Sequence, residues 1–226
     1  MLSVNEYRVL GYLAGYITPH KKEYIDRVLD MRTRHVTVVL EDVYQSQNLS
    51  AVIRTCECLG IQDIHIIENV STYNVNRRVL KGAHKWVTML RHRKGEDRTF
   101  ECFRALREKG YRIVTASPEG TGTPVDMLDV SSRVAVVFGN ELHGLSPAAR
   151  EYCDEQVKIP MYGFTESLNI SVSAALCVFA LVDKIRKSGI AFQLTEEECD
   201  ELRLQWYRKI IKRSEIIERE YLRTIA

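Results

Sequence analysis

Short segments rich in β-branched residues alternate with helical segments through the middle of the chain, and this alternation constrains the fold more than any other feature. The segments with strand character are residues 36–43, 64–67, 86–90, 111–116 and 134–138. Helical periodicity covers residues 48–59 and 100–109, which lie between them. Strands that alternate with helices favour a parallel sheet covered on both faces. The sequence therefore predicts an α/β fold with a mostly parallel sheet.

Helical patterns also flank this central region at both ends. Residues 1–35 are helical in periodicity, residues 168–187 resemble a buried helix, and residues 195–224 resemble one or two charged amphipathic helices. We therefore predict three parts. They are an N-terminal helical arm (1–35), an α/β domain (36–187) and a C-terminal helical extension (188–226). A loop containing Pro118, Gly120, Gly122 and Pro124 is expected inside the domain.

The composition is that of a globular protein, with 226 residues of which 45% are hydrophobic. The N-terminus lacks the pattern of a signal peptide, and the longest apolar stretch, residues 170–182, is too short to span a bilayer. Six cysteines have neither disulfide nor zinc-motif spacing. We therefore expect a soluble cytoplasmic protein with reduced thiols, no membrane contact and no metal site.

Charge is distributed unevenly along the chain, although the net charge is only +2. Residues 77–112 carry twelve Lys/Arg against four Asp/Glu, and residues 113–183 carry three against nine. The asymmetry is compatible with one basic face that attracts phosphates. Charges that simply face water in different directions would give the same count, so the charge pattern leaves both interpretations open.

Three segments run from a strand end into a polar or glycine-bearing turn, where open parallel sheets bind ligands. In the first, Asn48 sits at the predicted helix start and Arg54 follows six residues later, roughly along the same side of the helix. Asn48 could act only as a helix cap. Arg54 lies on an otherwise apolar element and needs a partner, either a structural carboxylate or a bound phosphate.

The second segment, residues 135–147, breaks a buried strand at Gly139 and continues through Glu141 to a helix start at Ser146 and Pro147. Two glycines around Glu141 allow a ligand to approach the backbone, although an ordinary tight turn explains them equally well.

The third segment leads from an apolar strand, expected to pass through Pro160 and Gly163, into a helix start at Ser167 and Asn169. Backbone amides at that helix start, with these two side chains, could hold a polar ligand. Helix capping alone would also explain Ser167.

Together the three segments resemble the motifs of the SpoU (TrmH) family of SPOUT methyltransferases. The elements Asn-x5-Arg-Thr, Phe-Gly-x-Glu-x-x-Gly and Ile-Pro-Met…Ser-Leu-Asn-x-Ser occur in the family's order within residues 37–185. The resemblance implies a deep C-terminal trefoil knot and an obligate homodimer. It also implies an enzyme that uses S-adenosylmethionine to methylate ribose 2'-hydroxyl groups in RNA.

The resemblance also implies site residues. Those expected to line the S-adenosylmethionine pocket are Thr115, Ala116, Ser117, Gly139, Ile159, Met161, Ser167 and Leu168. Those expected to be catalytic are Arg54, Asn48, Glu141 and Asn169. Because arginine stays protonated in proteins, we expect Arg54 to pair with a substrate phosphate and to stabilise the developing alkoxide, rather than to act as a base.

The short helical arms resemble the transfer-RNA branch of the family, which methylates guanosine 18 of the D-loop. The residues expected to contact tRNA are Lys21, Arg32, Lys85, Arg208 and Lys212. One alternative is a ribose methyltransferase acting on ribosomal RNA or on another tRNA position. A second is a knotted RNA-binding protein without catalysis, and a third is an unrelated nucleotide-binding α/β protein.

Overall fold

The computed structural model describes residues 1–117 and 122–225, which group into two compact units. The central unit is Thr33–Phe192, and the terminal unit joins Met1–Arg32 with Gln193–Ala226. The three-part division stays a prediction; most of its first and last parts fall within the terminal unit, while residues 33–35 and 188–192 belong to the central unit. The first part of the predicted loop, at Pro118 and Gly120, lies outside the described residues. Its last part was wrong, because Pro124 belongs to a short strand, Thr123–Pro124.

Strands and helices alternate along the described chain as predicted. The strands are β1 Val36–Glu41, β2 Asp63–Ile67, β3 Thr88–His92, β4 Tyr111–Ala116, β5 Thr123–Pro124, β6 Arg133–Phe138 and β7 Glu155–Lys158. The helices are α1 Val4–Ala14, α2 Pro19–Leu29, α3 Ser46–Cys58, α4 Arg77–Leu80, α5 Arg98–Glu108, α6 Pro147–Tyr152, α7 Ile170–Lys187, α8 Glu196–Ile210 and α9 Ser214–Ile225.

The seven strands of the central unit form one sheet in the order β3-β2-β1-β6-β4-β7-β5, and every neighbouring pair is parallel. All six residues of β1, at the middle of the sheet, are buried. Continuous burial is expected where both faces of a parallel sheet are covered. The predicted α/β class with a parallel sheet is therefore confirmed.

Alternate residues of the strands supply two hydrophobic clusters, one on each face of the sheet. Val38 and Leu40 belong to the cluster that also contains buried residues of α3 and α7. Val39 belongs to the opposite cluster, with Phe103 and Leu106 of α5. The two covered faces hold the strands in register, so the turns that follow β4, β6 and β7 meet at one edge.

Several predicted boundaries were wrong. Helix α3 begins at Ser46 and not at Asn48, so Asn48 lies inside the first turn and is not its N-cap. Strand β7 ends at Lys158, before the predicted passage through Pro160 and Gly163, because proline has no N–H to continue the ladder. Helix α7 is capped by Asn169, whose side chain accepts from the Ser171 amide at 2.8 Å, and not by Ser167.

The terminal unit consists of helices α1, α2, α8 and α9. Its C-terminal segment forms two helices, because the chain turns at Arg213, which has a φ of +61°. Tyr12 of α1 stacks on Tyr221 of α9 with ring centres 4.0 Å apart. No helix in the described parts of the chain combines the length and apolarity that crossing a bilayer requires.

Arg32, which follows α2, is only 1% exposed, and its guanidinium lies 5.5 Å from the ring centre of Trp206. A side chain this deeply buried presents no charged surface to an RNA phosphate. The structure therefore corrects the expectation that Arg32 contacts RNA, and assigns it a packing role. The sequence pattern missed this role because burial of an arginine depends on the partner helix.

Candidate functional site

A cavity of about 530 Å³ lies at the carboxyl ends of β4, β6 and β7. Ala116 and Ser117 line it from β4, the turn after β6 supplies Gly139 to Leu145, and Ile159 and Met161 follow β7. A volume of this size is typical of small-molecule and cofactor sites, which run from about 300 to 1,000 Å³. The three motif segments thus meet at one edge of the sheet, as expected for parallel strands.

Most of the residues predicted to bind a cofactor line this cavity. They are Ala116, Ser117, Gly139, Ile159, Met161, Ser167 and Leu168. Thr115 does not line it, because its side chain is fully buried and its hydroxyl donates to the Glu155 carbonyl at 3.5 Å. Successive side chains of a strand point to opposite faces, so Thr115 and Ala116 cannot both face the cavity.

The turn after β6 requires glycine at position 139. A Cβ atom there would lie 2.3 Å from the carbonyl oxygen of Gly144 and 2.5 Å from the amide nitrogen of Leu145. The turn is closed by two hydrogen bonds, from the Asn140 amide to the Gly144 carbonyl and back, at 2.8 and 2.9 Å. Because backbone atoms occupy the space a side chain would need, any other residue would have to open the turn.

Glu141 joins this turn to the loop after β1. Its carboxylate accepts from the backbone amide of Tyr44 at 2.9 Å, that of Gln45 at 3.2 Å and the side-chain amide of Asn48 at 3.0 Å. Burial raises the pKa of Glu141, but these hydrogen bonds outweigh it and leave the pKa below its ordinary value. Glu141 is therefore a carboxylate at neutral pH and places a negative charge beside the cavity.

Asn48 continues the polar chain towards α7. Its side-chain oxygen accepts from the amide of Asn169 at 3.2 Å, and its own amide donates to Glu141. Asn48 is 7% exposed, and all three side chains line the cavity. The structure thus brings together three of the four residues predicted to be catalytic, on elements that are far apart in the sequence.

Arg54, the fourth, does not line the cavity and is exposed on α3. Six residues of helix turn through about 600°, which is 120° short of two full turns, so Arg54 and Asn48 face different directions. The expectation that they share one side of the helix was wrong. No hydrogen bond or ion pair to its guanidinium occurs among the described residues, so the structural carboxylate considered for Arg54 is not found.

The cavity residues missed from the sequence include two with basic side chains, His143 in the turn after β6 and Arg150 in α6. Arg150 donates from Nε to the Leu145 carbonyl at 3.2 Å, which holds the arginine against the turn. Their positions in the second motif segment or just after it were the available signal. Which of these side chains would face the cavity depended on how α6 packs.

Comparison with known proteins identifies similar sequences over most of the chain. The sequence model of the SpoU rRNA Methylase family matches residues 35–179. A tRNA (guanosine(18)-2'-O)-methyltransferase from Borreliella burgdorferi is 41% identical over 209 residues, which cover 92% of this chain and 94% of that protein.

Solved structures of similar fold include the A. aeolicus TrmH/SpoU tRNA modifying enzyme. It has a TM-score of 0.73 and 27% identity, and the match covers 84% of this chain and 98% of that one. The SpoU methyltransferase AviRb from Streptomyces viridochromogenes, solved in complex with the cofactor AdoMet, has a TM-score of 0.59. It is 24% identical over 73% of this chain and 65% of that chain, a similarity that establishes the fold alone.

Proposed function

The chain belongs to the SpoU methylase family, and from this premise we propose that it methylates the ribose 2'-hydroxyl of guanosine 18 in tRNA, with S-adenosylmethionine as methyl donor. The observation that carries the proposal is the Glu141–Asn48–Asn169 chain of hydrogen bonds, which lines a cofactor-sized cavity inside the matched region. Support for the substrate comes from the Borreliella relative, whose name specifies guanosine 18 and which matches nearly end to end.

The residues of the cavity fit S-adenosylmethionine. Ile159, Met161 and Leu168 offer apolar surface to an adenine ring, while the carboxylate of Glu141 favours a cationic ligand. The structural relative AviRb binds the same cofactor in a protein of this fold. When bound, S-adenosylmethionine supplies an electrophilic methyl group on a positively charged sulfur. We propose that Ala116, Ser117 and Gly139 contact the adenosine, with Ser167 supporting the pocket.

The protein contributes orientation and charge to the transfer. Asn48 and Asn169 are held by each other and by Glu141, so their amides are pre-oriented towards a ribose at the cavity. Arg54 pairs with a phosphate of the RNA and stabilises the negative charge that develops on the 2'-oxygen. Because Arg54 lies outside the cavity of its own chain, it serves the cavity of a second copy.

A homodimer is supported by a hydrophobic stripe on α7. Val172, Leu176 and Phe179 are 45%, 44% and 60% exposed, and their spacing of four and three residues places them on one face of the helix. Exposed apolar patches of this kind mark protein–protein contacts. The helix begins beside Asn169 of the cavity, so a second copy packed on this stripe would lie near the site. The trefoil knot and a cytoplasmic location are further parts of this proposal.

Substitution of Phe179 by glutamate should convert the dimer to a monomer, because a charge in the middle of a desolvated apolar stripe has no partner there. Light scattering coupled to gel filtration measures the mass directly. Val70→Glu is the matched control, since Val70 is 91% exposed and lies outside α7. A wild-type chain that runs as a monomer, or a Phe179→Glu variant that remains dimeric, would contradict the proposed interface.

Contacts to tRNA are proposed at Lys21, Lys85, Arg208 and Lys212. Lys85 and Lys212 are exposed, and Lys21 is half-buried with its ammonium 5.8 Å from the ring centre of Tyr24. Arg208 makes a bidentate ion pair with Glu218, at 2.9 and 2.6 Å, so an RNA phosphate must compete with that carboxylate. The two exposed lysines are therefore the stronger candidates for phosphate contacts.

The function is tested by methyl transfer from labelled S-adenosylmethionine to unmodified tRNA transcripts. A second transcript carries 2'-deoxyguanosine at position 18 and is otherwise identical. We expect label on the first transcript and none on the second. Label on both transcripts would show that the methylated atom is not the 2'-oxygen of guanosine 18. No label on any tRNA, with the cofactor still bound, would favour ribosomal RNA as the substrate.

A further inference from the structure

Two histidines and a cysteine that do not line the cavity converge on the face of the sheet that α5 covers. They are His65 of β2, His92 of β3 and Cys102 of α5, and their candidate ligand atoms all lie within 4.8 Å of one another. Nδ1 of His65 is 2.9 Å from Nε2 of His92 and 3.9 Å from Sγ of Cys102. We propose that these three side chains form a binding site for a thiophilic divalent cation, with Zn²⁺ as the expected ion.

The architecture of the sheet brings the three donors together. Ile67 of β2 pairs with His92 of β3, and His65, two residues before Ile67, lies on the same face of the sheet. Helix α5 covers that face and buries Cys102 among Phe103 and Leu106. Each ligand therefore comes from a different element, and a bound ion would tie β2, β3 and α5 to one another.

The distances suit a tetrahedral ion. Zinc binds histidine nitrogen at about 2.0–2.1 Å and cysteine sulfur at about 2.3 Å, which places ligand atoms about 3.3 to 3.6 Å apart. Two of the three separations, 2.9 and 3.9 Å, differ from these values by a few tenths of an ångström, and the third pair, Nε2 of His92 and Sγ of Cys102, lies within 4.8 Å. Small rotations of the side chains would close that difference.

The surroundings leave the donors available to an ion. Nδ1 of His65 faces both of the other ligand atoms, Nε2 of His92 and Sγ of Cys102. Burial raises the pKa of Cys102, so its thiol loses its proton to the solvent only when the charge of the entering ion stabilises the thiolate.

A tetrahedral site needs a fourth ligand besides these three side chains. Glu41 is nearby, but its carboxylate already accepts from the Thr99 hydroxyl at 2.6 Å and from Ser146 at 2.7 and 2.9 Å. The fourth position is therefore assigned to water, which would enter beside His92, the half-buried member of the three.

The test is a titration of the metal-stripped, full-length protein with Co²⁺ in a thiol-free reducing buffer. We expect one Co²⁺ per chain, a near-ultraviolet sulfur-to-cobalt charge-transfer band, and displacement of both by Zn²⁺. Saturating Zn²⁺ should also raise the Tm, because the ion binds only the folded site. Absence of the band from the wild-type protein overturns the proposal without reference to any variant.

Variants assign the ligands. Cys102→Ala should lose the band and weaken Zn²⁺ binding by more than about 100-fold, since loss of an outer-sphere partner alone costs up to about 100-fold. Cys56→Ala removes an equally buried thiol from another part of the central unit and should keep the band. His92→Gln, at a half-buried position, gives a second variant if Cys102→Ala does not fold. A band that persists in Cys102→Ala, or Zn²⁺ affinity unchanged in His92→Gln, overturns the site.

Discussion

Replacement of Arg54 by alanine should lower kcat for tRNA methylation by about 100- to 1,000-fold, the usual cost of removing one group that stabilises developing negative charge. The protein should keep its fold and its affinity for S-adenosylmethionine, because the side chain is exposed, lies outside the cavity and has no partner among the described residues. Single-turnover methyl transfer measures the rate, and calorimetry measures cofactor binding.

Two further variants determine what Arg54 contributes. Arg54→Lys keeps the charge but loses the planar fork that binds phosphate in bidentate fashion. If it retains most of the rate, guanidinium geometry is not important. Arg104→Ala is the matched control, since Arg104 is 58% exposed and, within the part of the chain that the structure describes, pairs only with Glu101 on the same helix. A rate for Arg54→Ala equal to that of this control would refute the proposed role.

Replacement of Gly139 by alanine should weaken S-adenosylmethionine binding by about 10- to 100-fold. The added methyl group would lie 2.3 Å from the Gly144 oxygen, so the turn must open. Forcing an extra carbon into a packed site costs about 1–3 kcal/mol, which converts to that range of affinity. Opening the turn also displaces Glu141, so kcat should fall together with the affinity.

Gly163→Ala is the matched control for this prediction. Gly163 lies in the third motif segment, and the nearest atom to its added Cβ would be the Thr165 nitrogen at 4.0 Å. Its cofactor affinity should stay within about twofold of wild type, because surface changes without a clash have small effects. Equal affinities in Gly139→Ala and the wild-type protein would show that the turn after β6 does not shape the pocket.

Sequence periodicity predicted best the strands whose own residues are apolar over their whole length. Strand β4 has the predicted ends, and β1, β2 and β6 differ from the prediction by a residue or two at an end, because runs such as Val36 to Leu40 are apolar on both faces. Strand β3 was shifted by two residues, and its residues are only partly buried, so the apolar signal is weaker. Short elements such as α4 escaped prediction because four residues carry too little periodicity.

The sequence predicted the motifs of the candidate site, but it did not predict how their side chains are arranged in space. Gly139, Glu141 and Asn169 were identified by residue type and order, which depend only on the chain. Asn48 was named as a catalytic candidate at the helix start, with capping as the alternative, whereas Gln45 occupies the cap position and Asn48 bonds to Glu141 and Asn169. Those partners are 93 and 121 residues away, so no local pattern could reveal the contact.

Local periodicity and the order of the motifs were sufficient to predict the α/β class, the parallel sheet and the methyltransferase family. Three further points depend on packing between distant elements: Arg54 does not line the cavity, Arg32 is buried against Trp206, and His65 and His92 meet Cys102. The physical reason is common to all three. The direction in which a helix residue faces, the burial of an arginine and the meeting of three ligands all depend on how distant elements pack. Residue spacing along the chain does not reveal that packing.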